Sequence, residues 1–145
     1  MKKLITIIFA LYAATAFAQT AADTAGIKEA ALNYVEGFYT QDTARLAKGL
    51  VPDLVKRIID NRGGKSVLST MGLKELAGYA SSGQKMPNPN PSEPFKATIV
   101  IYDIASDIAT AKVTTNKMNM FFDYIQVGKI NGRWQIINVL WAFNR

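Results

Sequence analysis

Two residues, Asn131 and Gly132, constrain the fold of this chain more than any others. Both central residues of a type I′ turn need positive φ, and Asn-Gly meets that need at low cost. Long β-prone stretches flank the pair, Asp123 to Ile130 and Arg133 to Trp141. Centring the turn there pairs Lys129 with Trp134, Val127 with Ile136, Ile125 with Asn138 and Asp123 with Leu140. The opposite face pairs Tyr124 with Val139, Phe122 with Trp141 and Met120 with Phe143. Both faces are largely apolar. A sheet of that kind needs a cover on each side, one from its own helices and one from a second subunit.

The elements before the hairpin can be read from their periods. Ile27, Ala30, Ala31, Tyr34, Val35 and Phe38 draw one apolar stripe at helical spacing, with Asp23 or Thr24 placed to cap it. Gln41-Asp42 starts a short second helix, Thr43 to Lys48, which Gly49 to Pro52 ends. Leu54 to Asp60 and Ser66 to Thr70 read as a small hairpin, and Met71 to Ser82 as a third helix closed by Gly83. Pro87, Pro89, Pro91 and Pro94 make the next segment extended. Strands over Phe95 to Ile104, Ile108 to Lys117, Asn119 to Lys129 and Arg133 to Phe143 finish the chain. Helices first and an antiparallel meander after them make an α+β layout in one domain.

The N-terminus reads as a secretory signal. Met1-Lys2-Lys3 is a charged start, Leu4 to Ala14 an apolar run, and Ala16-Phe17-Ala18 a small-x-small cleavage site. The expectation is cleavage after Ala18, a mature domain over residues 19–145, and a periplasmic or secreted location. The apolar run is short for a bilayer, so no stable membrane insertion is expected once it is removed. The signal carries two of the 17 basic residues and no acid, leaving 15 bases against 11 acids. That excess is modest and spread out, so nucleic acid is not expected as a partner.

Absences narrow the chemistry. The chain has no histidine and no cysteine. A Ser-His-Asp triad, a Cys-His pair and the usual zinc and iron sites are excluded, as are disulfides. Asp103 and Asp107 lack further acids at cation-ligand spacing, so no metal is expected. Gly64-Lys65-Ser66 fails as a phosphate loop because Ile59 stands where the first glycine belongs, and no dinucleotide fingerprint follows a strand. No cofactor is expected.

Taken together, the long first helix, Asp42 after Tyr39, the third helix and a meander closing on Gly-Arg-Trp-Gln-Ile resemble the nuclear-transport-factor-2-like (NTF2-like, SnoaL-like) superfamily. The segments Val51 to Arg57, Asp123-Tyr124-Ile125 and Lys129 to Trp141 are similar to its putative lumazine-binding branch. The resemblance implies a cone: N-terminal helices packed in a curved antiparallel sheet, an apolar pocket inside, and a homodimer through the outer sheet face. It implies little about reaction, since the fold hosts isomerases, dehydratases, cyclases and plain binding proteins. Val51 departs from the pattern, which has a histidine before Pro-Asp; any role of that histidine is absent here.

What remains is acid–base chemistry by Asp, Tyr or Lys inside an apolar cup. If the face with Val127, Ile136 and Leu140 points inward, Asp123 is a carboxylate among apolar groups, a candidate general base or neutral donor. Tyr34 can donate from the opposite wall, and Asn138 can hold a ligand carbonyl. Both first residues also have structural readings: Asp123 paired with Lys112 or Lys117, and Tyr34 simply as core. Tyr34, Phe38, Tyr79, Asp123, Trp134 and Asn138 are the expected ligand-binding residues. Met120, Phe122, Tyr124, Trp141 and Phe143 are expected on the outer, dimer-facing side. Three functions follow: an exported binder of a small apolar or aromatic molecule, a structural dimer module without ligand, and a cofactor-free isomerase or dehydratase using Asp123 and Tyr34.

Overall fold

The computed structural model describes the backbone of residues 2–61, 64–83, 92–117 and 121–144, with side chains from residue 21 onward. Helix α1 spans Lys2–Thr40 and α2 spans Thr43–Gly49. They are joined through Gln41, whose positive φ breaks the helix, and Asp42, whose side chain caps α2 by accepting from the Arg45 N–H at 2.9 Å. Strands β1 (Leu50–Asp60) and β2 (Val67–Met71), helix α3 (Leu73–Ser81), then β3 (Ala97–Ala105), β4 (Ile108–Thr115), β5 (Phe121–Ile130) and β6 (Arg133–Phe143) complete the order. The expected α+β layout forms, with the first strand starting at Leu50 and running through Pro52. The β1 register is irregular between Leu50 and Val55, where a proline without an N–H is tolerated. The expected extended run through Pro87, Pro89 and Pro91, and the expected outward placement of Met120, lie outside the described residues.

The six strands form one sheet in the order β2-β1-β6-β5-β4-β3. It is mixed rather than purely antiparallel, because β1 pairs in parallel with β6, joining the first strand to the last. The other four pairings are antiparallel. The apolar stripe of α1, with Ile27, Ala30, Ala31, Tyr34 and Val35 buried, lies on the inner sheet face. That face contributes Val113, Ile125, Val127, Ile136 and Val139, with Leu46 of α2 and Leu76 of α3 closing the core.

The closing hairpin turns at Asn131 and Gly132, with φ of 50° and 78°, as the sequence predicts. Its register holds as far as Val127 opposite Ile136 and then slips by one residue. Ile137 is the extra residue, a β-bulge on β6. Gly128 makes room for it: a Cβ there would stand 2.6 Å from Ile137 Cδ1. Beyond the bulge, Asp123 faces Trp141, Ile125 faces Val139 and Tyr124 faces Leu140. The expected faces are corrected accordingly. Asn138 moves to the outer face, where its amide donates to Gln126 Oε1 at 2.9 Å, and Leu140 is exposed there. Trp141 and Phe143 move to the inner face, with Phe121.

Candidate functional site

Strand parity on the inner face carries one residue that looks out of place. Leu54, Lys56 and Ile58 alternate inward along β1, so a lysine sits in a row of buried aliphatics. Asp123 enters the same space from β5, two residues before the buried Ile125 and four before Val127. Tyr34 enters from α1, on the stripe that covers the sheet. All three are buried; Lys56 is only 6 % exposed. A lone buried ion is very costly, so each needs a partner.

They satisfy one another. Lys56 Nζ donates to Asp123 Oδ1 at 2.6 Å and to Tyr34 Oη at 2.6 Å, and the Tyr34 hydroxyl donates to Asp123 Oδ1 at 3.1 Å. Asp123 Oδ2 accepts none of these bonds. Burial lowers the Lys56 ammonium pKa, against the pull of the Asp123 charge. Burial also raises the Tyr34 pKa well above the usual tyrosine value, helped by the same carboxylate. Tyr34 therefore keeps its proton across the neutral range and acts as a donor to Asp123.

An aromatic wall stands over this cluster. Lys56 Nζ lies 5.1 Å from the Trp141 ring centroid and 5.3 Å from that of Tyr34, within cation–π range. Trp141 packs edge-on against Phe121 at 5.7 Å and Phe143 at 5.3 Å. The Trp141 indole N–H is buried and makes no hydrogen bond. A basic, a hydroxylic and a carboxylic group beside an apolar aromatic wall can orient the polar edge of a flat molecule.

Of the expected site residues, the structure joins Tyr34 and Asp123 directly. The partner of Asp123 is Lys56, rather than the expected Lys112 or Lys117; Lys112 lies on the outer face, 4.6 Å from the Phe122 ring. Phe38, one helical turn beyond Tyr34, packs against the core. Tyr79 is half exposed on α3 and Asn138 is on the outer face, so neither joins the cluster. Trp134 is buried elsewhere: its indole N–H donates to Asp23 Oδ1 at 3.1 Å, and Lys129 Nζ donates to the same oxygen at 2.8 Å. That hydrogen bond to Lys129 holds the Asp23 carboxyl below its ordinary pKa, and the bond raises that of Lys129 in return. The sequence reading missed Lys56 and misplaced Trp141. Parity with Leu54 and Ile58 signals the first, and mid-strand Gly128 signals the bulge that moves the second.

An open groove of about 490 Å³ lies elsewhere, between α1 and β3, lined by Thr24, Lys28, Ile99, Tyr102 and Asp103 among others. It shares no lining residue with the Lys56 cluster.

Comparison with known proteins places the fold. No curated protein matches the chain in sequence. The structure resembles an NTF2-like protein of unknown function from Shewanella baltica, with TM-score 0.71 and 20 % identity, covering 86 % of this chain and 96 % of that one. An NTF2-like protein of unknown function from Methylobacillus flagellatus gives 0.66 and 22 %, covering 86 % and 94 %. A ketosteroid isomerase-like protein from Erwinia carotovora atroseptica gives 0.57 and 17 %, covering 83 % and 95 %. At these identities the likeness speaks for the cone fold and not for activity. The family described as putative lumazine-binding matches residues 22–142, nearly the whole described domain. With the cone fold and this match in agreement, the chain has the NTF2-like fold and belongs to the putative lumazine-binding family.

Proposed function

We propose that this chain is an exported, homodimeric binding protein for a small, flat, largely apolar molecule, held inside the cone between α1 and the sheet. The observation that carries the reading is the buried Lys56–Tyr34–Asp123 cluster beside the Trp141, Phe121 and Phe143 rings. A purely structural interior gains little from such a cluster, because an apolar set of similar volume is often as stable. A ligand site gains orientation and selectivity from it. The family's description supports a pteridine-like ring as the ligand class.

Export rests on the charged, apolar and small-residue pattern of residues 1–18. Dimerisation rests on a row of residues across the outer face: Val100, Lys112, Tyr124, Leu140 and Arg57 are successive cross-strand partners. Val100, Tyr124 and Leu140 in that row are exposed. An enzyme reading has one observation in its favour, the direct Tyr34–Asp123 hydrogen bond. Against it, Asp123 Oδ1 already accepts from two donors, so only Oδ2 remains for a substrate proton.

The test is a calorimetric titration of residues 19–145 with lumazine. The expected result is saturable binding with Kd in the micromolar range, on the order of 10 μM. No heat and no tryptophan quenching up to about 1 mM lumazine, with a related flat heteroaromatic such as riboflavin equally silent, would count against the reading.

A further inference from the structure

The Trp141 indole N–H is a donor without an acceptor. Buried polar groups are almost always hydrogen-bonded, and one left unpaired weakens the fold. Among the described residues it is the one buried side-chain polar atom without a partner. Its neighbours repeat the theme. A lysine ammonium carries three donors, and Lys56 uses two of them, on Tyr34 and Asp123. Trp141 faces Asp123 directly across the β5–β6 pair, and its ring lies 5.1 Å from Lys56 Nζ. Two unused donors therefore meet at one indole on the inner face, the ammonium over the Trp141 ring and the N–H at its edge.

We infer that these two donors, Trp141 Nε1–H and the third Lys56 N–H, form a recognition point for a neutral carbonyl oxygen on the edge of a flat aromatic ligand. The choice of a neutral acceptor follows from charge. Lys56 and Asp123 already form an ion pair, and the Tyr34 hydroxyl stays protonated, so the cluster is neutral as a whole. A carboxylate or phosphate would enter as an uncompensated buried charge, which is costly. A carbonyl satisfies both donors without that cost. The rings of Trp141 and Phe121 supply the flat apolar contact beside it. This inference rests on the ligand-binding reading above and adds the group that the ligand must present.

The test uses three matched probes on the protein over residues 19–145: 2-acetylnaphthalene, 2-ethylnaphthalene and 2-naphthoate. The ethyl compound carries a methylene where the acetyl compound carries the carbonyl, so the ring and the terminal methyl are common to both. The expected result is that 2-acetylnaphthalene binds about tenfold more tightly than 2-ethylnaphthalene, the range for one or two buried hydrogen bonds, and that 2-naphthoate is the weakest. Trp141→Phe keeps a ring and removes the donor, and should shrink the acetyl-to-ethyl ratio by about threefold or more. A merely structural role for Trp141 would weaken both compounds alike and leave the ratio unchanged. In ¹⁵N-labelled protein, the Trp141 indole proton should move downfield with 2-acetylnaphthalene and not with 2-ethylnaphthalene, while the Trp134 signal, already bonded to Asp23, serves as the control. Equal binding of acetyl and ethyl probes, or tightest binding of 2-naphthoate, overturns the carbonyl assignment and leaves the binding reading standing. Failure of all three probes, together with failure of lumazine, overturns both.

Discussion

A lysine buried to within a few per cent of its surface needs an explanation, and Lys56 has one in Asp123 and Tyr34. Removing one partner of such a pair leaves the other charge stranded. Lys56→Met should therefore destabilise the domain by about 3–5 kcal/mol in urea denaturation. Adding Asp123→Leu and Tyr34→Phe to it should restore most of that loss, since an apolar set needs no compensation. If the triple variant were no more stable than the single one, the cluster would be contributing something other than mutual satisfaction. Tyr34 also makes a pH prediction. Its pKa is raised in the folded protein, so the folded state binds more protons than the unfolded chain above the ordinary tyrosine value near 10. Its contribution is full below that pH and is lost as pH rises toward the folded pKa. Melting temperatures from pH 9 to 11.5 should fall more steeply for the wild type than for Tyr34→Phe. Tyr34 and Asp123 could be singled out in the sequence because a carboxylate and a tyrosine fell at inward positions of regular elements. Lys56 escaped because a lysine is ordinarily solvated, and only the identity of its neighbours Leu54 and Ile58 betrays it.

The closing hairpin is where local chemistry and tertiary context part. Asn131-Gly132 specifies its turn alone, and the register near it follows. The bulge at Ile137 depends on partners outside its own strand: Gly128, diagonally across on β5, and β1 running parallel on the other side. A two-residue period cannot reveal it, because Ile136, Ile137 and Val139 are all apolar, and a slip of one residue exchanges the faces. Gly128→Ala should crowd Ile137 and destabilise by about 1–3 kcal/mol, as read from chemical denaturation. An unchanged midpoint would mean that the bulge does not need the space that Gly128 leaves. The same hairpin is fastened to α1 by Asp23, which accepts from Lys129 and Trp134. Because the Asp23 pKa is lowered on folding, its contribution is present above the usual carboxylate range and fades as pH falls through the folded value. Asp23→Asn should thus melt lower than wild type at pH 7, and the gap should close toward pH 3. A gap independent of pH would remove the charge from the explanation.

In the molecule as a whole, the described helices pack on one sheet face, and on the other Val100, Tyr124 and Leu140 are exposed among the described residues. Val100, Tyr124 and Leu140 belong to one cross-strand row there, with half-buried Lys112 between the first two, and the Tyr102 ring lies 6.1 Å from that of Tyr124. In the proposed homodimer these side chains are the ones that the second copy covers. On the proposed homodimer, Tyr124→Lys with Leu140→Lys should convert dimer to monomer in light scattering and leave the fold intact; a wild type that is already monomeric at about 100 μM would refute it. The α+β layout was legible because helical periods come first along the chain and strand-like stretches follow. The parallel β1–β6 pairing was not, since it joins residues some 80 positions apart and no local pattern encodes it. The most direct measurement is native mass spectrometry of the protein over residues 19–145, gently extracted from the cells that make it. A small molecule at one copy per protomer, released by collisional heating and absorbing beyond the tryptophan band, is the predicted result. Bare protomer mass in every charge state, with no mass gained on adding lumazine or 2-acetylnaphthalene, would contradict the binding function.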